Sequence, residues 1–210
     1  MKTGIEDIRP SKIICVGTNY ADHARELNLG VPGEPLIFIK PPSSIIYDGQ
    51  DIVYPRGVTR LDFEAELAVV IKKEGRNIGE SGAREYILGY TCLNDVTARD
   101  IQSRESQWTR SKSFDTFCPI GPHIETDVDP SALKVESYLN GKQKQSSSTS
   151  NLIFSVPKLV SFVSSIMTLL PGDIISTGTP FGIGPMLPGD RIEVRIEGIG
   201  SLHNTVVKEK

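Results

Sequence analysis

The chain has 210 residues, 38% hydrophobic and 23% charged, and a formal net charge of -3. That length buries a substantial core without disulfides or a structural metal, and the mild negative charge, with Lys and Arg scattered, gives no basic field to gather nucleic acid or acidic lipid. Cys15, Cys92 and Cys118 lie far apart, odd in number and without a CxxC or Cys/His pairing; they read as buried thiols of a reducing compartment, not as a disulfide framework or a zinc site. No apolar run reaches the ~18 residues of a membrane helix. Met1 to Pro10 is too polar for a secretory leader and lacks the Arg/Ser bias of a transit peptide, so the expected location is cytoplasmic.

In chain order, Lys12 to Gly17 is an apolar run ending in Gly and predicts a strand. Asn19 to Leu29 reads as a short polar helix closed by Gly30. Pro35 to Lys40 and Asp51 to Tyr54 are further strands, the first stopped by Pro41 and Pro42. Leu61 to Lys73 predicts one long strand with an acidic face: Asp62, Glu64, Glu66 and Ala68 alternate with Phe63, Ala65 and Leu67. Tyr86 to Asn94 predicts another strand, with a short polar helix from Ala98 to about Ser106. Asn140-Gly141 between Val135–Leu139 and Gln143 onward signals a hairpin. The Ser-rich patch Ser146 to Ser150 reads as a loop, and Val156 to Leu169 as a core helix with Ser155 at its N-cap. Pro171-Gly172-Asp173 and Pro188-Gly189-Asp190 are turns, each feeding a strand. Strand signals without regular βα alternation indicate a β-rich α+β fold with a mixed, barrel-like sheet and few short helices.

Four groups of residues carry candidate chemistry. Glu64 and Glu66 are two apart, so on a strand both carboxylates point one way; on an open strand this is only a solvated face. Asp95, ending the Tyr86–Asn94 run, adds a third carboxylate. Oxygen ligands without His or Cys suit Mg²⁺, Mn²⁺ or Ca²⁺ better than zinc. His23 and Glu26 are three apart and share one helix face; a His beside a carboxylate makes a general-base unit, or merely a surface contact. Arg99, Gln102 and Lys112 can hold an anionic substrate or remain solvated charge. Thr177-Gly178-Thr179-Pro180, with Gly182 and Gly184, allows close approach of backbone to a ligand, although plain loop chemistry explains such runs too.

At these residues the chain resembles the fumarylacetoacetate hydrolase family from about Ile13 to near its C-terminus. The resemblance is carried by Gly17-Thr18-Asn19-Tyr20-Ala21-Asp22-His23, Phe38-Ile39-Lys40-Pro41, Asp62-Phe63-Glu64-Ala65-Glu66-Leu67 and Asn94-Asp95-Val96-Thr97-Ala98-Arg99-Asp100. Gln107-Trp108-Thr109-Arg110-Ser111-Lys112 and Gly172-Asp173-Ile174-Ile175-Ser176-Thr177-Gly178-Thr179-Pro180 complete it. It implies one catalytic domain spanning 1–210, built on a rolled mixed sheet, with a lid near 19–33. It further implies Mg²⁺ or Mn²⁺ on Glu64, Glu66 and Asp95, and a His23–Glu26 dyad on the lid. Arg99, Gln102, Lys112 and Thr177 match substrate-binding positions, with Lys112 counted among the catalytic residues. The implied substrate is a small 2-oxo acid and the implied assembly a homodimer. The implied reaction is C–C cleavage of an acylpyruvate (acetylpyruvate or fumarylpyruvate class). Oxaloacetate decarboxylation, keto–enol tautomerisation and an isomerase/decarboxylase step of aromatic catabolism are its alternatives. A non-catalytic binding module on this fold is opposed by the intact His23, Glu26 and Lys112, and a structural Ca²⁺ protein by the lack of an EF-hand-like loop.

Overall fold

The computed structural model describes residues 2–21 and 33–210. After β1 (Lys2–Thr3) come β2 (Ile13–Gly17) and β3 (Leu36–Lys40), an antiparallel pair with Ile13 opposite Lys40. β4 (Ile45–Ile46) and β5 (Asp51–Tyr54) lead to the acidic segment. There the single strand expected from Leu61 to Lys73 is two, β6 (Leu61–Phe63) and β7 (Ala65–Ile71). The break falls at Glu64, whose N–H donates to Asn94 Oδ1 at 2.9 Å and whose carbonyl accepts from Asp95 N at 2.9 Å. β8 (Ile87–Asn94) and β9 (Thr97–Ala98) follow, then α1 (Arg99–Gln102) and α2 (Thr109–Lys112). α1 is shorter than the helix expected to reach Ser106. β10 (Cys118–Glu125) precedes the hairpin of β11 (Lys134–Leu139) and β12 (Lys142–Ser148), which turns at Asn140-Gly141 as predicted. Ser146–Ser148 are strand rather than loop, because β11 pairs with β12 along its full length. α3 (Val156–Ile166) stops three residues before Leu169, whose N–H and carbonyl instead pair with Gly75. Ser155 holds the N-cap position without a side-chain capping bond. β13 (Ile174–Ser176), β14 (Gly184–Met186), β15 (Arg191–Ile196) and β16 (Gly200–Lys208) close the chain. The two Pro-Gly-Asp turns use one device: Asp173 accepts from Leu170 N at 2.8 Å and Asp190 from Leu187 N at 2.7 Å.

The strands form a curled mixed sheet in the order β1-β10-β8-β7-β13-β2-β3, with β4 beside β10, and two smaller sheets, β12-β11-β15-β16-β5 and β14-β6-β9. β6 and β7 therefore belong to different sheets, and Glu64 is where the chain passes from one to the other. β7 is buried on both faces: Leu67, Val69 and Ile71 pack with Leu159, Val160 and Val163 of α3, while Ala68 and Val70 pack with Ile13, Cys15 and Leu93. A strand covered on both sides reads as a near-continuous apolar run, which accounts for the Ala68–Ile71 stretch. The expected acidic face is accordingly an interior one. Cys15, Cys92 and Cys118 are free, buried thiols. Among the described residues, no helix is long and apolar enough to cross a membrane.

Candidate active site and metal centre

A cavity of about 460 Å³ opens where the end of β2, the β6–β7 junction and the two short helices meet. Its charged wall is Glu64, Glu66, Asp95, Arg99 and Lys112; its apolar wall is Val16, Phe38 and Trp108. The register of β7 on β8 sets Ala65 opposite Asn94 and Glu66 opposite Leu93, so Asp95, just past β8, comes beside the Glu64 junction. One carboxylate oxygen from each of Glu64, Glu66 and Asp95 lies within 4.8 Å of the others, and all three residues are buried.

Glu66 sits on the β7 face shared with Ala68 and Val70. Its Oε2 accepts from Ser176 Oγ and, at 2.8 Å, from Gly178 N. Gly178 can bring its backbone this close because it has no side chain: a Cβ there would stand 2.8 Å from that of Asn19. Burial, then the negative charge of Asp95 and Glu64, push the Glu66 carboxyl up to about 8, against the bond from Ser176 and the charge of Lys112.

Cations answer this cluster. Lys112, at the end of α2, donates to Glu64 Oε2 at 2.8 Å and to Asp95 Oδ2 at 2.5 Å. Burial alone would lower its pKa; Asp95 and Glu64 outweigh that and raise it, so it stays an ammonium. Arg99 donates to Glu64 Oε1, to Gln102 Oε1 and, at 2.9 Å, to the fully buried Asp62. Trp108 stacks edge-on against Phe38 with ring centroids 5.4 Å apart, and lies so close over Gly17 that a Cβ there would come within 2.7 Å of the indole.

Of the residues singled out in the sequence, Glu64, Glu66, Asp95, Arg99, Gln102 and Lys112 line this one cavity. Thr177 is buried just behind it, its hydroxyl given to Leu67 O at 2.9 Å; Thr179 lines the cavity in its place. His23, Glu26 and most of the expected lid lie outside the described residues. The sequence reading missed Lys40 as the partner of Asp95 and Asp62 as the partner of Arg99, and it missed Ser176 as a donor to the Glu66 carboxylate and Asn94 as the acceptor of the Glu64 N–H. All four sit inside or next to the motifs quoted above, which was the available signal.

Residues 12–207 match the family model described as fumarylacetoacetate (FAA) hydrolase C-terminal. The chain belongs to the fumarylacetoacetate hydrolase family. Relatives in this family include enzymes of several kinds. It is 43% identical over 210 residues to a mitochondrial oxaloacetate tautomerase of Rattus norvegicus, covering 95% of this chain and 67% of the relative. Among solved structures it superposes on a 2-hydroxyhepta-2,4-diene-1,7-dioate isomerase of Mycobacterium marinum with TM-score 0.90 and 46% identity, covering 96% of this chain and 76% of that one. It also superposes on a fumarylpyruvate hydrolase of Pseudomonas aeruginosa, in complex with Mn²⁺ and pyruvate, with TM-score 0.93 and 33% identity, covering 100% of this chain and 96% of that one. The β-rich fold with its rolled mixed sheet is the family's fold.

Proposed function

We propose that the protein is a divalent-metal-dependent, cytoplasmic enzyme that takes a small 2-oxo acid through its enolate. The observation that carries this reading is the convergence of Glu64, Glu66 and Asp95 on one focus beside Lys112. The donor set fits Mg²⁺ or Mn²⁺: it is all oxygen, and Glu66 is crowded by negative charge that a cation would relieve. A divalent cation held there would supply a Lewis acid for negative charge on the substrate's keto oxygen. The chain's own residues supply the rest. Lys112, kept as an ammonium, acts as an electrostatic donor to an anionic oxygen and not as a base. Arg99 and Gln102 present donors toward the substrate's carboxylate, and Phe38 with Trp108 keeps bulk water from that side.

The reaction we favour is hydrolytic C–C cleavage of an acylpyruvate, with Glu26 activating water and His23 assisting; pyruvate leaves as its enolate. The likeness to fumarylpyruvate hydrolase over the whole chain supports it. Keto–enol exchange of oxaloacetate is the second reading, favoured by the tautomerase relative; it needs a proton removed at C3 and one delivered to the keto oxygen, and no attacking water. The test is a panel of acetylpyruvate, fumarylpyruvate, oxaloacetate and a dienedioate, run on metal-stripped protein before and after adding Mg²⁺ or Mn²⁺. Turnover that appears only with metal and is lost in Glu66→Ala is the expected result. Full turnover in EDTA, or none on any member with metal, would end the proposal.

A further inference from the structure

The Phe38-Ile39-Lys40-Pro41 stretch ends an apolar strand with a lysine that is fully buried. Burying an ammonium costs several kcal/mol unless it is paired and hydrogen-bonded. Lys40 Nζ donates to Asp95 Oδ1 and, at 3.1 Å, to Val96 O. Both acceptors lie in the two-residue link between β8 and β9, where no strand ladder fixes the chain. The backbone of Asp95 is held by its N–H on Glu64 O at 2.9 Å and by Thr97 Oγ1 on its own carbonyl at 2.8 Å. Its carboxylate is held by two lysines on different sides. Lys40 takes Oδ1, and Lys112 takes Oδ2 while also reaching Glu64. Lys112 lines the cavity and Lys40 does not, so Lys40 has no access to a substrate.

We infer that Lys40 is a positioning residue for the metal centre: it holds one oxygen of Asp95 and thereby turns the other toward Glu64 and the cavity. The inference rests on the metal reading above. Partners of this outer kind set the orientation of a ligand, and losing one costs ~10–100-fold in metal affinity. A residue that only filled the core would instead affect stability and leave affinity unchanged.

The experiment measures Mn²⁺ affinity by titration calorimetry, at one pH and ionic strength, for the wild type, Lys40→Met, Asp95→Asn and the double variant. Lys40→Met is expected to bind ~10–100-fold more weakly, and the double variant no more weakly than Asp95→Asn alone, since Lys40 acts only through Asp95. Wild-type affinity in Lys40→Met, or losses that multiply in the double variant, would overturn the inference while leaving the metal site standing. No Mn²⁺ binding by the wild type would remove the metal reading and this inference with it. Should Lys40→Met alone not fold, Lys40→Gln decides, because its amide can still serve Val96 O while carrying no charge to Asp95. Mn²⁺ binding ~10-fold or more weaker in folded Lys40→Gln upholds the inference, and wild-type affinity, or failure of this variant to fold as well, refutes it.

Discussion

Replacing Glu66 with Gln should make the metal-free protein more stable at alkaline pH. Gln keeps the shape and can still accept from Ser176 Oγ and Gly178 N, but carries no charge into a buried site beside Asp95 and Glu64. In the wild type the Glu66 carboxyl moves from its ordinary 4.5 to about 8 on folding. A group whose pKa is raised by folding contributes fully below its unfolded value and loses that contribution as pH rises through the folded one. With ~1.4 kcal/mol per tenfold change in proton affinity, the wild type loses roughly 3–4 kcal/mol between pH 5 and pH 8. For a domain of this size that is a fall in Tm of about 10 °C. The assay is thermal unfolding in EDTA at pH 5, 6.5 and 8 for both proteins. The Glu66→Gln substitution should flatten this part of the slope. Saturating Mn²⁺ should restore the wild type at pH 8, because binding displaces the proton; its affinity should rise roughly tenfold per pH unit below 8. Parallel pH profiles for the two proteins would refute the reasoning, since they would mean that Glu66 is not crowded.

The cavity wall is tested at Gly17: in Gly17→Ala the new Cβ meets the Trp108 indole at 2.7 Å. The indole must then swing aside, at the ~1–3 kcal/mol typical of overpacking, so KM for the oxo acid should rise about tenfold with the protein still folded; an unchanged KM would detach Trp108 from the site. Glu26→Gln should slow acylpyruvate hydrolysis by at least ~10²-fold and oxaloacetate conversion less, and equal losses would show that the dyad serves a step common to both. Light scattering at micromolar concentration should give twice the chain mass of 23.0 kDa if the expected homodimer forms; the single-chain mass would refute it.

Much of the fold was legible because its strands are bounded by strong punctuation. Gly17 ends β2, Pro41 follows β3, Asn140-Gly141 joins β11 to β12, and the Pro-Gly-Asp turns precede β13 and β15. What failed has a common physical cause, a partner distant in sequence. The alternation Asp62, Glu64, Glu66 runs unbroken through Glu64, yet the strand breaks there because Asn94 and Asp95, some thirty residues on, take its backbone groups. Ser146–Ser148 have loop composition but are paired with Glu136, Val135 and Lys134. β10 carries Pro119 and Pro122, which disguise it, and β16 hides a buried set, Leu202, Asn204 and Val206, among polar neighbours. The site was legible as a set of charged residues in shared order. Its internal wiring was not: a lysine at the end of an apolar run gives no sign that it will be buried against Asp95.

The central claim is that Glu64, Glu66 and Asp95 hold one divalent cation. Anomalous diffraction at the manganese edge, from crystals grown with Mn²⁺ and pyruvate, tests it most directly. The account predicts a single strong peak bonded to one oxygen of each of these carboxylates, with pyruvate against it. A peak elsewhere, or three carboxylates that keep only Lys112, Lys40, Arg99, Ser176 and Gly178 as partners in saturating Mn²⁺, would contradict it.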